Sequence, residues 1–386
     1  MSNRRFWLLT LVGLAVITLA LGWAVNRYSI ERKIEFASER LALLGTLRKD
    51  ALQRYLTTAQ AELRFWSTNE LLVNNQQWLV EAWDKAITAG EDPAQALRQR
   101  YIDDNPFPDG QRHRFDDEID NEKPYRGLHA KLHPMTKLFV MERGYYDLFL
   151  ISPTGNIHYS VTKEDEFGGN LISGPYRDSG LAQVFQQILA DPDTTGIAIS
   201  DLQAYAPSDG APALFIAQAM RSPEEEFIGV IVLQLPTDKI LEIMNFDTGM
   251  GRTGETYLVG QDQLMHSQSR FIDTPTVLVT RAESETIRRA LQGENGVSFA
   301  TDYRGVEVLS AYSNIQVGET NWAVMAEVDK LEIYEQATSD QPMLAGLMLF
   351  LYSLGIWSAW FVQRADGDYD QGSMMGDLDV GMDGDG

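Results

Sequence analysis

The chain has 386 residues, a formal net charge of −23 and no cysteine. The acidic balance argues against a nucleic-acid partner, whose phosphates it would repel, and the missing cysteines exclude disulfides, thiol catalysis and cysteine-ligated zinc or iron–sulfur centres. An apolar share of 44% leaves enough for a sizeable core, and the length suits two or three modest domains.

In chain order, residues 1–5 are a short N-terminus ahead of Phe6 to Val25, 20 residues without a charge. At about 1.5 Å per residue such a helix spans roughly 30 Å, the thickness of a hydrocarbon core. Trp7 and Trp23 lie toward its ends, where indole rings favour the interface. The run is long for a signal peptide and lacks a clean small-x-small cleavage site, so it predicts an uncleaved transmembrane helix over 6–25. Arg4 and Arg5 favour a cytoplasmic N-terminus. Residues 26–100 read as a stalk and long helices. Ile30, Ile34, Ala37, Leu41, Leu44, Ala51 and Tyr55 form a heptad-like seam. It suits a dimer-forming stalk or a helix lying on its own domain. A second helix is predicted over 71–89, closed by Gly90 and Pro93.

Residues 101–236 then form one α+β module. Its first part, 103–127, holds three prolines and reads as irregular. His129 and His133 would share a helix face, but Ala130 stands where zinc enzymes of that spacing carry Glu, and Pro134 is expected to end the helix. No metal site is predicted. "YYDLFLIS" (145–152), the turn "PTGN" and "IHYSV" (157–161) predict a hairpin. A Gly-rich loop and a helix follow, then strands at 196–202, 213–220 and 229–235. Residues 237–335 repeat the pattern in weaker form. A strand at 255–262 and a helix at 283–293 precede strands at 296–301, 306–315 and 322–328.

Met343 to Val362 is a second charge-free run of 20 residues and predicts a second transmembrane helix, with the exported region between the two. Residues 363–386 read as an acidic, disordered cytoplasmic tail with seven aspartates, at 366, 368, 370, 377, 379, 383 and 385. "DGDYDQG" lacks the glycine and closing glutamate of a calcium loop. Met374, Met375 and Leu378 offer an alternative, a short docking peptide. The fold class is therefore α+β: a long N-terminal stalk helix and two tandem antiparallel-sheet modules, flanked by two transmembrane helices.

The stretches "YYDLFLISPTGNIHYSVTKEDEFGGNL", "GPYRDSGLA", "GVIVLQLPTDKILEIM" and "TGETYLVGQDQLMHSQSR", in this order, resemble the double Cache, PAS-like sensor region of bacterial chemoreceptors, sensor kinases and transmembrane cyclases. The resemblance covers about residues 30–335. It implies a periplasmic region on an inner-membrane anchor, with a small ligand held in the membrane-distal module, 101–236, and a membrane-proximal module, 237–335. The amino-acid-binding branch carries an Arg-Pro-Trp-Tyr-like word whose Arg takes the ligand carboxylate, and an Asp that takes the amine. Here Gly174, Pro175, Tyr176 and Arg177 stand in that place, with glycine at the Arg position, and Asp201 corresponds to the amine-binding Asp.

Candidate ligand contacts follow, each with a structural alternative. Tyr176 stacks on a ligand or packs a helix start on the sheet. Arg177 clamps a carboxylate or pairs with Asp178, and Asp178 contacts ligand or caps a helix. Asp201 and Tyr205 flank a strand end above the pocket. Tyr146, Phe149 and Tyr159 alternate along the hairpin, facing pocket or core. Lys163 opposes an anion or stays solvated.

These readings predict a membrane-anchored sensor of a small organic ligand, a carboxylate or an amine. It is expected to be a homodimer that signals through helix movement to a separate transmitter, because 24 residues after Val362 are too few for an output domain. The alternative is an accessory or structural subunit of a larger membrane complex that uses the domain for protein contacts. No G-x-S-x-G, P-loop or selected carboxylate pair points to an enzyme, and no cofactor is expected.

Overall fold

The computed structural model describes residues 3–119, 124–338 and 341–376. Arg40–Asp329 form one compact unit, and the chain on either side of it forms another. One uninterrupted helix, α1 (Asn3–Ser67), belongs to both.

Within residues 40–329, α1 buries Leu41, Leu52, Leu56, Ala59 and Leu63. That spacing is one helix face. This stretch therefore lies on its own domain. Leu41 of the heptad-like seam is spent inward, while Leu43 and Leu47 stay exposed. Helix α2 (Glu70–Thr88) starts where the Asn69 side chain accepts from the Leu71 and Leu72 N–H groups. Helix α3 (Pro93–Arg98) runs into a wide turn at Gln99–Asp103. Helix α4 (Pro124–Arg143) continues through Pro134, against expectation. The lost hydrogen bond and ring clash cost about 3 kcal/mol. Burial of Leu128, Leu132 and Val140 in the core outweighs that.

The first sheet is antiparallel and six-stranded: β1 (Asp147–Ile151), β2 (Ile157–Ser160), β3 (Ala198–Ile199), β4 (Gln203–Tyr205), β5 (Ala211–Arg221) and β6 (Phe227–Leu235). Its order is β2-β1-β6-β5-β3, with β4 added to β5. Helix α5 (Gly180–Ala190), capped by Ser179, covers one face with Leu181, Val184, Phe185 and Ile188 against Phe149, Phe215 and Val232. The other face, through Leu148, Leu150, Ile216 and Leu233, packs with α1, α2 and α4. Alternation along each strand sorts the two sets.

After α6 (Thr237–Met244), the second sheet repeats this plan with four strands: β7 (Glu255–Val259), β8 (Gly296–Thr301), β9 (Glu307–Val317) and β10 (Thr320–Asp329), ordered β7-β10-β9-β8. Leu258, Ile315, Trp322 and Val324 join the core that α1 lines, whereas Tyr257, Val259 and Met325 pack under α7 (Glu285–Leu291). Both sheets thus have one face in the core that α1 lines and one face toward a loop and helix.

In the other unit, α8 (Lys330–Thr338) and α9 (Gln341–Gly376) accompany the first part of α1. The α1 and α9 apolar segments touch. A Cβ on Gly22 would meet Met348 at 2.7 Å, and one on Gly355 would meet Leu14 at 2.8 Å. Leu9, Val16, Leu19, Trp23, Leu349 and Trp357 are among the large apolar side chains left exposed. Among the described residues one helix, α1, is long and apolar enough to cross a membrane, and α9 holds a shorter apolar stretch, Ala345–Ser358. Helix α9 runs on to Gly376, so 363–376 is helical where a disordered tail was expected. The remaining tail, with Leu378 and four of the aspartates, lies outside the described residues.

Candidate functional site

The hairpin of β1 and β2 opens into the loop 161–179, which lies toward the α5 side of the first sheet. Asp147, the first residue of β1, organises the turn. Its Oδ1 accepts from the N–H groups of Leu148, Val161 and Thr162 at 2.6, 2.7 and 3.2 Å. Its Oδ2 accepts from the Ser160 hydroxyl at 2.6 Å and from the Thr162 hydroxyl. Burial raises this carboxyl's pKa, and the hydrogen bonds oppose that rise. Lys163 follows in the left-handed region at φ 58, a conformation that costs a non-glycine residue about 1–2 kcal/mol. The next side chain, Glu164, accepts from the Tyr146 hydroxyl and, at 2.6 Å, from Ser208 Oγ. Burial pushes its pKa up to about 7. Arg98 grips the loop through the carbonyls of Asp165 and Phe167, at 2.5 and 3.1 Å.

Glu166 differs from its neighbours. It is fully buried, and neither carboxylate oxygen has a partner on another residue; the one donor acting on it is its own backbone N–H. Burial first, then Asp147 and Glu164, hold its pKa well above the usual carboxylate range. Tyr205, at the end of β4, is 1% exposed, packs its ring on Phe215 at 4.9 Å, and has an unpartnered hydroxyl. Its pKa is raised by burial and then by Glu166, Asp147 and Glu164. Gln234, paired with Asp147 across β1 and β6, also has a buried amide oxygen without a partner. Glu166, Tyr205 and Gln234 are thus three buried polar groups without a side-chain partner near one edge of one sheet, where buried polar groups are as a rule satisfied.

The structure brings some sequence-selected residues to this place and not others. Tyr146 bonds Glu164, Tyr205 stands beside the acids, and Tyr176 is half-buried with its pKa raised by burial and by Asp165 and Glu166. Phe149 lies in the apolar layer beneath, with Phe167 and Phe215. Arg177 and Asp178 instead pair with each other at 3.7 Å on the surface. Gly174 cannot be replaced by a clamp at the same position, since a Cβ there would sit 2.3 Å from the Asn170 carbonyl oxygen. Asp201 is turned to the second sheet, where its Oδ1 accepts from Trp322 Nε1 at 2.8 Å. Tyr159 and Lys163 enter a separate buried cage. There the Tyr159 hydroxyl meets His133 Nδ1 at 2.6 Å and Thr136 Oγ1 at 2.5 Å. Lys163 Nζ lies 3.4 Å from both ring nitrogens of His133 and donates to the Val161 carbonyl at 3.2 Å. Burial pushes this amine down to about 7 and the His133 imidazole down to about 2. The rings of His129 and His133 stack at 4.6 Å, and among the described residues no group of three or more His, Asp or Glu is placed to hold a metal ion.

Sequence reasoning missed Asp147, Glu164 and Glu166. The signals were present. A lone Asp interrupts the apolar run "YYDLFLI", and "KEDEF" puts an acidic cluster directly after a hairpin strand.

No curated protein matches the chain. Among solved structures, it is similar to the ligand-binding domain of the Campylobacter jejuni chemoreceptor Tlp3 in complex with L-valine: 11% identity, 80% of this chain and 98% of that one, TM-score 0.47. The ligand-binding domain of the Pseudomonas fluorescens chemoreceptor CtaA in complex with L-serine gives 14% identity, 77% and 98% coverage, and a TM-score of 0.43. That of the Pseudomonas aeruginosa amino acid chemoreceptor PctB in complex with L-Arg gives 15%, 78% and 98%, and 0.41. The assignment rests on the family model, described as a Cache domain, which matches residues 28–337. The chain belongs to the Cache-domain family.

Proposed function

We propose that the protein is a membrane-anchored, extracytoplasmic sensor of a small organic molecule. It binds that ligand in the first module, between the sheet and the loop 161–179, and passes its state through helix movement to a separate partner. The observation that carries this reading is the pair of fully buried, unpartnered polar groups, the Glu166 carboxylate and the Tyr205 hydroxyl, where the sheet meets that loop. Leaving such groups unsatisfied costs about 1–3 kcal/mol each, which a ligand recovers. A sensor needs that kind of reserve, because a ligand shifts a conformational equilibrium only through its preference for one state. The continuity of α1 from its apolar segment to the core of residues 40–329 supports helix movement as the output.

The test is thermal melting of the full chain in detergent against a broad set of small metabolites, with hydrogen exchange on any hit. A ligand should raise the melting temperature and protect the loop 161–179. A set that shifts nothing, or protection confined to the second module, contradicts the reading. Protease added to intact spheroplasts should cut within residues 40–329, and failure to do so contradicts the proposed topology.

A further inference from the structure

We propose that Lys163 is a latch released by a proton: its uncharged amine, parked in the cage of His133 and Tyr159, keeps the loop 161–179 closed, and protonation of that amine lets the loop open. The latch would regulate access to the site described above. Only that consequence rests on the sensor reading; the latch itself needs no ligand.

Lys163 breaks two ordinary rules at once. A lysine is almost never fully buried unless it is paired, yet this one is 0% exposed. It also holds a left-handed backbone at φ 58, which few residues other than glycine adopt.

The cage suits an amine and has no place for an ammonium. His133 Nε2 lies 2.8 Å from the His113 carbonyl, which can only accept, so that nitrogen carries the ring's proton. Nδ1 is then the acceptor, and it takes the Tyr159 hydroxyl at 2.6 Å. Both ring nitrogens are thus used, and neither can accept from Lys163 Nζ, 3.4 Å from each. The Val161 carbonyl, at 3.2 Å, is what remains. An ammonium brings three N–H donors, so two of them would be stranded away from water.

The surrounding charged and titratable groups do not repair this. On α4, the His129 ring stacks on His133 at 4.6 Å, and Lys137 is paired with Asp116 at 2.6 Å. On β1, Asp147 is taken up by the N–H groups of Val161 and Thr162 and by the Ser160 hydroxyl. Ahead of α4, Arg112 donates to the Lys163 carbonyl at 3.1 Å and pairs with Asp109. The His113 imidazole is itself pushed down by burial and then by Lys163, so it adds no negative charge. The rings of Tyr101 and Tyr159 lie 6.0 and 5.7 Å from Nζ, at the outer limit of a cation–π contact.

Burial accordingly lowers this amine to about 7 from 10.5. In an open loop it would return toward the ordinary value. The closed loop is therefore favoured above that value, and the preference is lost as pH falls through about 7. The backbone around Lys163 reports on closure. Its own N–H donates to Ser160 Oγ at 2.8 Å, Val161 and Thr162 donate to Asp147, and Gly168 donates to the Ile157 carbonyl at 3.2 Å.

The experiment is hydrogen exchange read by mass spectrometry on the full chain in detergent, without ligand, from about pH 10 down to about pH 7. Each rate is divided by the intrinsic rate at that pH. Protection of residues 161–169 should fall up to tenfold per pH unit as pH drops. The loop should exchange well before β5 and β6, as local opening requires. In Lys163→Met, which keeps an unbranched apolar body without a charge, loop protection should be independent of pH. Loop protection that ignores pH in the wild type would overturn the latch, as would the same pH dependence in Lys163→Met. Loop and strands exchanging together would mean global unfolding and would overturn it too. Each of these outcomes leaves the sensor reading to the metabolite melts.

Discussion

The two sheets begin alike and end differently. Each opens with an acid at the first position of its first strand, Asp147 on β1 and Glu255 on β7. Across the ladder, Asp147 faces Gln234, whereas Glu255 faces a second acid, Glu327. In the second module the hydroxyls close the network. Tyr257 and Ser310 donate to Glu327 at 2.9 and 2.7 Å, and Tyr303 donates to Glu255 at 2.6 Å, with Ser269 at 3.4 Å. In the first module Glu166, Tyr205 and Gln234 are among the buried groups without a side-chain partner, whereas the two facing acids of the second module are both served. Buried acidity alone therefore does not identify a site. A closed network holds the fold together, whereas an unpartnered buried group carries a desolvation cost that nothing in the chain offsets.

Apolar substitution at the two acids should give opposite signs. Glu327→Leu strands the hydroxyls of Tyr257 and Ser310 and should cost about 3 kcal/mol, read from denaturant unfolding. Glu166→Leu removes a group with no partner and should leave stability unchanged or raise it by about 1 kcal/mol. A large loss at Glu166 would mean that its carboxyl has a structural partner and that the modules do not differ in this way.

The next largest effect concerns the joint between the modules. Trp322→Phe removes the indole donor to Asp201 while keeping an aromatic ring in the core, at a cost of about 2 kcal/mol. Asp201 lies four residues before Tyr205, so this bond ties the strand carrying a pocket residue to β10. The modules should then unfold in two calorimetric steps rather than one. A single unshifted transition would show that the joint depends on the shared apolar core instead.

The pH dependence separates the modules again. Glu327 has its pKa pushed up to about 7 by burial, from an ordinary value near 4.5. Its contribution to stability is fully present below the unfolded value and is lost as pH rises through about 7. Lys163 in the first module is pushed down to about 7 from 10.5. Its contribution is fully present above the unfolded value and is lost as pH falls through about 7. Each group gives a slope of at most about 1.4 kcal/mol per pH unit. Glu327→Gln should flatten the acid side of the stability profile, and Lys163→Met the alkaline side. Profiles that do not change with either substitution would contradict these assignments.

The smallest effect is expected at Tyr205. Tyr205→Phe deletes a hydroxyl without a partner, so stability should change by less than about 1 kcal/mol, while the affinity for any ligand found in the metabolite melts falls.

Much of the fold was legible because periodicity reports burial directly. The hairpin, α2, α5 and the strands of both modules follow from alternation and turn residues, and the second module was found as a repeat. Pro134 was misread because local propensity does not include the tertiary burial of α4. The seam on α1 was ambiguous because a helix face looks the same whether it meets a second chain or its own sheet. The site was less legible. Tyr176, Tyr146 and Tyr205, chosen from the family word, the hairpin and a strand end, lie around the loop 161–179, whereas Asp201 accepts from Trp322 because sequence order does not reveal which sheet a loop end faces. Glu166 stands in an acidic run that sequence alone does not distinguish from a solvated one. Only three dimensions show that it alone in "KEDEF" is buried without a partner.

The protonation state of Glu166 is the most direct test of the account. An infrared difference spectrum of the full chain, with Glu166→Gln as reference, should show one extra protonated-carboxyl band in the free protein. That band should shift or vanish when a ligand found in the metabolite melts is added. A Glu166 that is already ionised without ligand, or a band that persists unchanged at saturating ligand, would contradict it.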